Sequence, residues 1–249
     1  MNLINEVAHR PWPVPSNKWV MRQTWSNLLF LHWPISSESL RPYIPPSIQI
    51  DIFGEYAWLG VILFVTEGVY PRGLSSVSLA CKFPEINLRT YVIYNGKPGI
   101  YFLSLDSRNW ASTMIGKSWF HLPYYYAQIS FQQKGQAFHF QSTRKGKIDE
   151  PIKFSCNYAH SSEVYFTQEG TLDHWLTERY CMFSSDKGSN IYSVDLHHRP
   201  WPLQKAEAEI YTNTLFSPFH FDLSEVKPLS HFSKGIDALF WNIKKQDHK

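Results

Sequence analysis

Two stretches, "KFPEINLRTYVIY" and "GIYFLSLD", flank Asn95-Gly96. Both stretches are rich in β-branched and aromatic residues. Asn-Gly supplies the two left-handed backbone positions that a tight hairpin turn demands. The pair fixes an antiparallel hairpin near the middle of the chain and sets the class of fold. A second hairpin signal, Lys134-Gly135, joins "YYYAQISFQQ" to "AFHFQSTR". The rest of the chain agrees. Aromatic residues make up 16% of 249 residues, and proline outnumbers glycine 16 to 12. Aromatic side chains suit a pleated surface, and proline punctuates the turns between strands.

Further strands are expected in "KWVMRQTW", "EYAWLGVILFVTEGVY", "KFSCNYA", "IYSVDL" and "AEAEIYTN". "SSESLRPYI" predicts a short helix with Ser36 as its N-cap, "SRNWASTMIGKSWF" a second helix, and "TLDHWLTERYCMF" an amphipathic helix capped by Thr171. No low-complexity linker divides the chain, so residues 1–249 are expected to form a single β-rich domain with a few helices. "HRPWP" occurs at His9–Pro13 and at His198–Pro202, but the flanking residues differ. The two copies are expected to be extended segments leading into strands rather than a structural repeat.

Several function classes are disfavoured. Net charge is +3, and the basic residues are scattered with no run beyond Lys244-Lys245, which does not indicate nucleic acid. The longest apolar stretch, Ala57 to Val65, is too short to span a membrane. The N-terminus lacks an apolar signal region, and Cys81, Cys156 and Cys181 are odd in number and widely spaced, so a reducing cytoplasm is expected. The 11 histidines show no ligand spacing, and no metal or cofactor is expected. Cys81 is expected to be a buried structural thiol. Ala111 to Ser118 fits a relaxed phosphate-loop pattern. Its Thr113, Met114 and Ile115 are poor cradle residues, however, and Pro123 interrupts the long helix such a loop requires.

"CKFPEINLRTYV" carries the strongest chemical signal. Glu85, Asn87 and Arg89 alternate, so they share one face of a strand. That face is either a polar outer surface or a polar lumen in which carboxylate and guanidinium hold a ligand.

"HRPWPVPSNKWVMRQTWSNLLFLHWPI", "FPEINLRTYVIYNGKPGIYFLSLDS" and "IYSVDLHHRPWPLQKAEAEI" resemble the bacterial YqjF-like domain-of-unknown-function family, related to acetoacetate decarboxylase. The likeness spans nearly the whole chain. It implies a mainly β (α+β) acetoacetate-decarboxylase-like barrel or cone, with an additional sheet and peripheral helices. "SLRPYIPPSIQID" resembles that enzyme's Leu-Arg-x-x-x-Pro-x-x-Leu segment, and Glu85 falls near its active-site glutamate. Arg22 is nearby in sequence to where its active-site arginine lies.

In the decarboxylase, a Pro-Lys-Lys run supplies the lysine that forms a Schiff base with substrate. Here the same frame holds Pro123-Tyr124-Tyr125, and a phenol cannot form an imine. Lys117 matches the enzyme's arginine rather than its lysine pair. The resemblance thus implies a small-molecule binding protein, without decarboxylase activity, for a small polar or aromatic carbonyl or carboxylate compound. Glu85 and Arg89 would supply charge, Tyr124, Tyr125 and Trp119 walls and hydroxyls, and Lys117 and Arg22 further contacts. An acid/base enzyme using Glu85 or a tyrosine is the alternative, and a scaffold with a vestigial pocket is the third reading. The implied partner is a small molecule, with neither nucleic acid nor membrane, and a homo-oligomer is the assembly this leaves open.

Overall fold

The computed structural model describes residues 3–74, 78, 82–145 and 150–246. In chain order the elements are β1 (Met21–Ile35), α1 (Ser37–Leu40), β2 (Gln49–Ile50), β3 (Ala57–Pro71), β4 (Phe83–Tyr94), β5 (Lys97–Ser107), α2 (Trp110–Phe120) and β6 (Tyr124–Tyr126). There follow β7 (Gln128–Lys134), β8 (Ala137–Arg144), β9 (Ile152–His160), α3 (Leu172–Thr177), β10 (Cys181–Ser185), β11 (Ile191–His197), β12 (Leu203–Asn213), β13 (Leu229–Phe240) and β14 (Lys244–Lys245).

The strands form one continuous sheet that closes on itself. The path β11-β10-β5-β4-β3-β1-β13 returns to its start because Leu196 and His197 pair with Phe240 and Leu239. The result is a ring of seven strands. From β13 the sheet continues through β12, β9, β8 and β7, which fold over the outside of the ring. The two glycine hairpins are the turns between β4 and β5 and between β7 and β8, with Asn95, Gly96 and Gly135 all at positive φ.

Side-chain alternation builds two interiors. Leu29, Leu31 and Trp33 of β1, Leu59, Val61 and Leu63 of β3, and Ile86 and Leu88 of β4 face outward. They pack on Phe138, Phe140, Phe154 and Tyr158 of the covering sheet. Full burial of one such side chain contributes about 1.5–3 kcal/mol. The opposite faces point into the ring, where Leu28, Phe30, Ile62 and Phe64 meet Trp201 and Leu203. Asn27, at φ 52, sits where the β1–β3 register slips and sets which residues face inward beyond it.

Two expectations need correction. "KWVMRQTW" is only the start of a longer strand, since β1 continues to Ile35. The helix expected over "TLDHWLTERYCMF" ends at Thr177, and Cys181 begins β10, because Arg179 and Tyr180 turn the chain back onto the ring. The two HRPWP copies meet. His9 donates to the His198 carbonyl at 2.7 Å, and Arg10 donates to the Leu196 carbonyl at 2.7 Å while its guanidinium stacks on Tyr180. Each copy leads toward a strand, β1 and β12. Cys156 and Cys181 are buried free thiols, and Cys81 lies outside the described residues. Among the described residues, no helix is long and apolar enough to cross a membrane.

Candidate functional site

β4 carries Glu85, Asn87 and Arg89 on the inner face of the ring. Pairing with β3 sets Glu85 beside Phe64, Asn87 beside Ile62 and Arg89 beside Gly60. Gly60 in turn faces His32 of β1, and a Cβ on it would come within 3.2 Å of His32 and 3.4 Å of Arg89. His32, Gly60 and Arg89 thus form one row across three strands, and a side chain at residue 60 would crowd both of its neighbours.

Glu85 is 6% exposed. Its recorded hydrogen bond comes from the Tyr124 hydroxyl, which donates to Oε2 at 3.3 Å. Burial pushes this carboxyl up to about 8, and the Tyr124 bond pulls the other way more weakly. Glu85 is therefore largely a neutral acid at neutral pH. Tyr124 reaches it because α2 leaves space. Gly116 lies against the tyrosine ring, where a Cβ would come within 2.2 Å.

The tyrosine run divides between faces. Leu105 pairs with Tyr124 and Asp106 with Tyr125 as β6 runs parallel to β5. Tyr124 belongs to the inner cluster, whereas the Arg144 guanidinium lies 4.0 Å from the Tyr125 ring centroid. Arg144 also forms a buried ion pair with Asp106 at 3.2 Å. Burial raises the Asp106 carboxyl to about 6 against the opposing pull of Arg144. Tyr126 is exposed.

Six residues along β4 from Glu85 the chemistry changes. Tyr91 donates to the Leu176 carbonyl of α3 at 2.8 Å, and its oxygen lies 2.8 Å from His32 Nε2. A phenol has one proton, so His32 Nε2–H must be the donor to Tyr91. Burial, with Arg89 and His231 nearby, holds His32 well below its ordinary value and keeps it neutral. Asn87 Oδ1, Arg89 Nε and His32 Nδ1 are buried, with no hydrogen-bond partner among the described residues. Trp175 of α3 packs on Tyr91 at 4.6 Å between ring centroids, and Arg179 bonds Asp51 at 2.7 Å.

The other expected residues lie elsewhere. Arg22 is 3.9 Å from Asp237 and stacks on Tyr70. Trp119 is 62% exposed on α2. Lys117 lines an open cleft of about 770 Å3 with Tyr43, Tyr101, His121 and Lys187, and sits 5.5 Å from the Tyr125 ring. The structure thus brings Tyr124 to Glu85 and sets Arg89 on the same inner face, while Tyr125, Lys117, Trp119 and Arg22 have other neighbours. The phosphate-loop pattern forms part of a helix rather than a loop, since α2 begins at Trp110, capped by Asn109. Sequence reasoning missed His32, Tyr91, His231 and Asp173. A lone histidine inside the apolar run of β1 is the one available signal, and it lacks any partner nearby in sequence. Among the described residues, no three His, Cys, Asp or Glu side chains are grouped to hold a metal ion.

A ring of mostly antiparallel strands, an outer covering sheet and few helices define an acetoacetate-decarboxylase-like fold. The crystal structure of acetoacetate decarboxylase from Legionella pneumophila superposes with a TM-score of 0.63 at 12% identity, over 98% of this chain and 94% of that one. An acetoacetate decarboxylase-like enzyme from Sphingomonas wittichii gives a TM-score of 0.65 at 10% identity, over 97% and 98%. The enduracididine biosynthesis enzyme MppR, complexed with pyruvate, gives 0.63 at 8% identity, over 96% of each chain. The chain belongs to the DUF2071 family, described as an uncharacterized conserved protein, which matches residues 22–237. It is 40% identical over 232 residues to the uncharacterized protein YqjF of Bacillus subtilis (strain 168), covering 93% of this chain and 95% of that protein.

Proposed function

We propose that the chain binds a small carbonyl or carboxylate compound inside the strand ring, without forming an imine. One observation carries the reading. Asn87 Oδ1, Arg89 Nε and His32 Nδ1 are buried without hydrogen-bond partners among the described residues, on the same inner face as a carboxyl kept neutral. Leaving such atoms unpaired costs about 1–3 kcal/mol each, so a bound polar group is their natural complement. Arg89 suits a carboxylate, and protonated Glu85, with Tyr124 beside it, can donate to a carbonyl oxygen.

The pyruvate complex of MppR supports this ligand class on the same fold. Tyr124 and Tyr125 in the Pro123 frame support the absence of Schiff-base chemistry. We take the chain as one domain, acting in a reducing cytoplasm, which the free buried Cys156 and Cys181 thiols favour.

The test is a panel of acetoacetate, pyruvate and levulinate, followed by ligand-observed NMR and calorimetry. Binding that weakens at least tenfold in both Glu85→Gln and Arg89→Gln is the expected result. Binding unaffected by either substitution, or no binding at all, overturns the reading. A scaffold with a vestigial pocket is the second reading, favoured by one fact: Glu85 does not line the 770 Å3 cleft. Total absence of binding would select it.

A further inference from the structure

A second polar assembly opens on the ring interior, from β13. His231 pairs with Phe30 of β1 and lies on the inner side, because its neighbour Phe232 packs outward on Phe138 and Tyr158. His231 Nε2 meets Asp173 Oδ1 at 3.2 Å, at the start of α3. The second oxygen, Asp173 Oδ2, accepts from the Tyr165 hydroxyl at 3.0 Å. Hydrogen bonding to His231 holds the Asp173 carboxyl below its ordinary value, so it is an acceptor and the imidazole must offer Nε2–H. In the neutral ring that leaves a lone pair on Nδ1. His231 is 6% exposed, and this Nδ1 has no hydrogen-bond partner among the described residues. The His32 ring, also with a free Nδ1, lies 6.4 Å away between centroids.

A carboxylate that fixes one nitrogen of a buried imidazole, leaving the other as a bare acceptor, is the arrangement of a general base. We propose that His231 is the base of the ring-interior site, that Asp173 positions it, and that the ligand presents an acidic C–H next to a carbonyl. The proposal rests on the reading that the interior binds a small carbonyl compound, and it names the reaction class, enolisation.

Topology places the base opposite an acid. Glu85 on β4 and His231 on β13 are separated by β3 and β1 along one arc of the seven-strand ring and by β5, β10 and β11 along the other. For strands about 4.8 Å apart and tilted about 40°, such a ring is roughly 14 Å across its backbone. The two inward side chains therefore project from opposite strands into the same interior. The C–H bond breaks, and its proton goes to His231 Nδ1. The electron pair becomes the enol double bond, and the carbonyl oxygen takes the Glu85 proton. Reversal restores both groups, so no further reactant is needed.

The experiment follows 2-oxobutyrate in D2O by proton NMR, reading loss of the C3 proton signal, with binding measured separately by calorimetry. Wild-type protein should accelerate exchange over buffer. His231→Gln and His231→Asn should each lower it at least tenfold with binding retained within threefold. Asp173→Asn should shift the His231 nitrogen-15 resonances away from the Nε2–H tautomer and lower exchange while binding is retained within threefold, a split that a purely structural contact would not produce. Exchange unchanged in both His231 variants overturns the proposal, as does binding without any exchange in the wild type. Absence of binding removes the interior-site reading and this proposal together. Exchange lost in Glu85→Gln but kept in both His231 variants overturns the base alone and leaves the site standing.

Discussion

The Tyr124 hydroxyl donates to Glu85 Oε2 at 3.3 Å, and among the described residues no cation contributes to holding that carboxyl charged. A phenol at the start of β6 is therefore the polar neighbour of a buried acid. This pairing makes the site readable by pH.

Glu85 moves from an ordinary 4.5 to about 8 on folding. A group raised in the folded state contributes stability that is fully present below the unfolded value and is lost as pH rises through the folded one. A shift of 3.5, the difference between those values, corresponds to roughly 5 kcal/mol at most. Stability should fall as pH climbs from about 5 to 8 in the wild type. Glu85→Gln, which stays neutral, should flatten that slope above pH 6. Denaturant unfolding across this range checks it. Asp106 titrates lower, at about 6, so its share of the slope should survive in the Glu85 variant.

Imine chemistry is the second point. Tyr124 faces Glu85, Tyr125 faces Arg144, and Lys117 lines the outer cleft. Borohydride treatment in the presence of acetoacetate should leave the intact mass unchanged. An adduct on any lysine, Lys117 included, would contradict this.

Much of this architecture was legible in the chain. Asn95-Gly96 and Lys134-Gly135 form the hairpins they predict, and the alternation of Glu85, Asn87 and Arg89 places all three on one face. A one-strand reading could not decide between lumen and surface, because that depends on β11 meeting β13, a pairing between residues about forty positions apart. Local pattern puts the phenols of the tyrosine run on both faces but does not say which one turns inward. The register of β6 alongside β5 sends Tyr124, not Tyr125, to the inner cluster. His231 and Asp173 carried no signal at all, since their spacing spans β10 to β13 and no helix or strand period relates them. Trp119 invited a pocket reading through its size, yet α2 turns it to solvent.

The Asp106–Arg144 pair predicts strong non-additivity. Both side chains are almost fully enclosed, and the Tyr125 ring covers the guanidinium. Arg144→Met alone leaves Asp106 buried without its cation and should cost about 3–5 kcal/mol at pH 7. Replacing both partners, Arg144→Met with Asp106→Leu, should recover most of that loss. Chemical denaturation of the two single variants and the double variant closes the cycle. Simple additivity would show that the pair is not coupled.

Gly116 offers a test by sign. Within an exposed helix, glycine to alanine stabilises by about 1 kcal/mol through propensity alone. Here the added Cβ would fall 2.2 Å from the Tyr124 ring, well inside any real contact. Either α2 lifts from the ring or Tyr124 leaves Glu85. Overpacking of this kind typically costs about 1–3 kcal/mol, enough to reverse the propensity gain. Gly116→Ala should therefore lower the melting temperature, and Tyr124→Ala combined with it should restore the helical benefit by removing the obstructing ring. The comparison is made against Tyr124→Ala alone, so that the loss of the hydroxyl is common to both. A Gly116→Ala protein more stable than the parent would mean that α2 does not seat Tyr124 against the ring, and the route from helix to acid would have to be withdrawn.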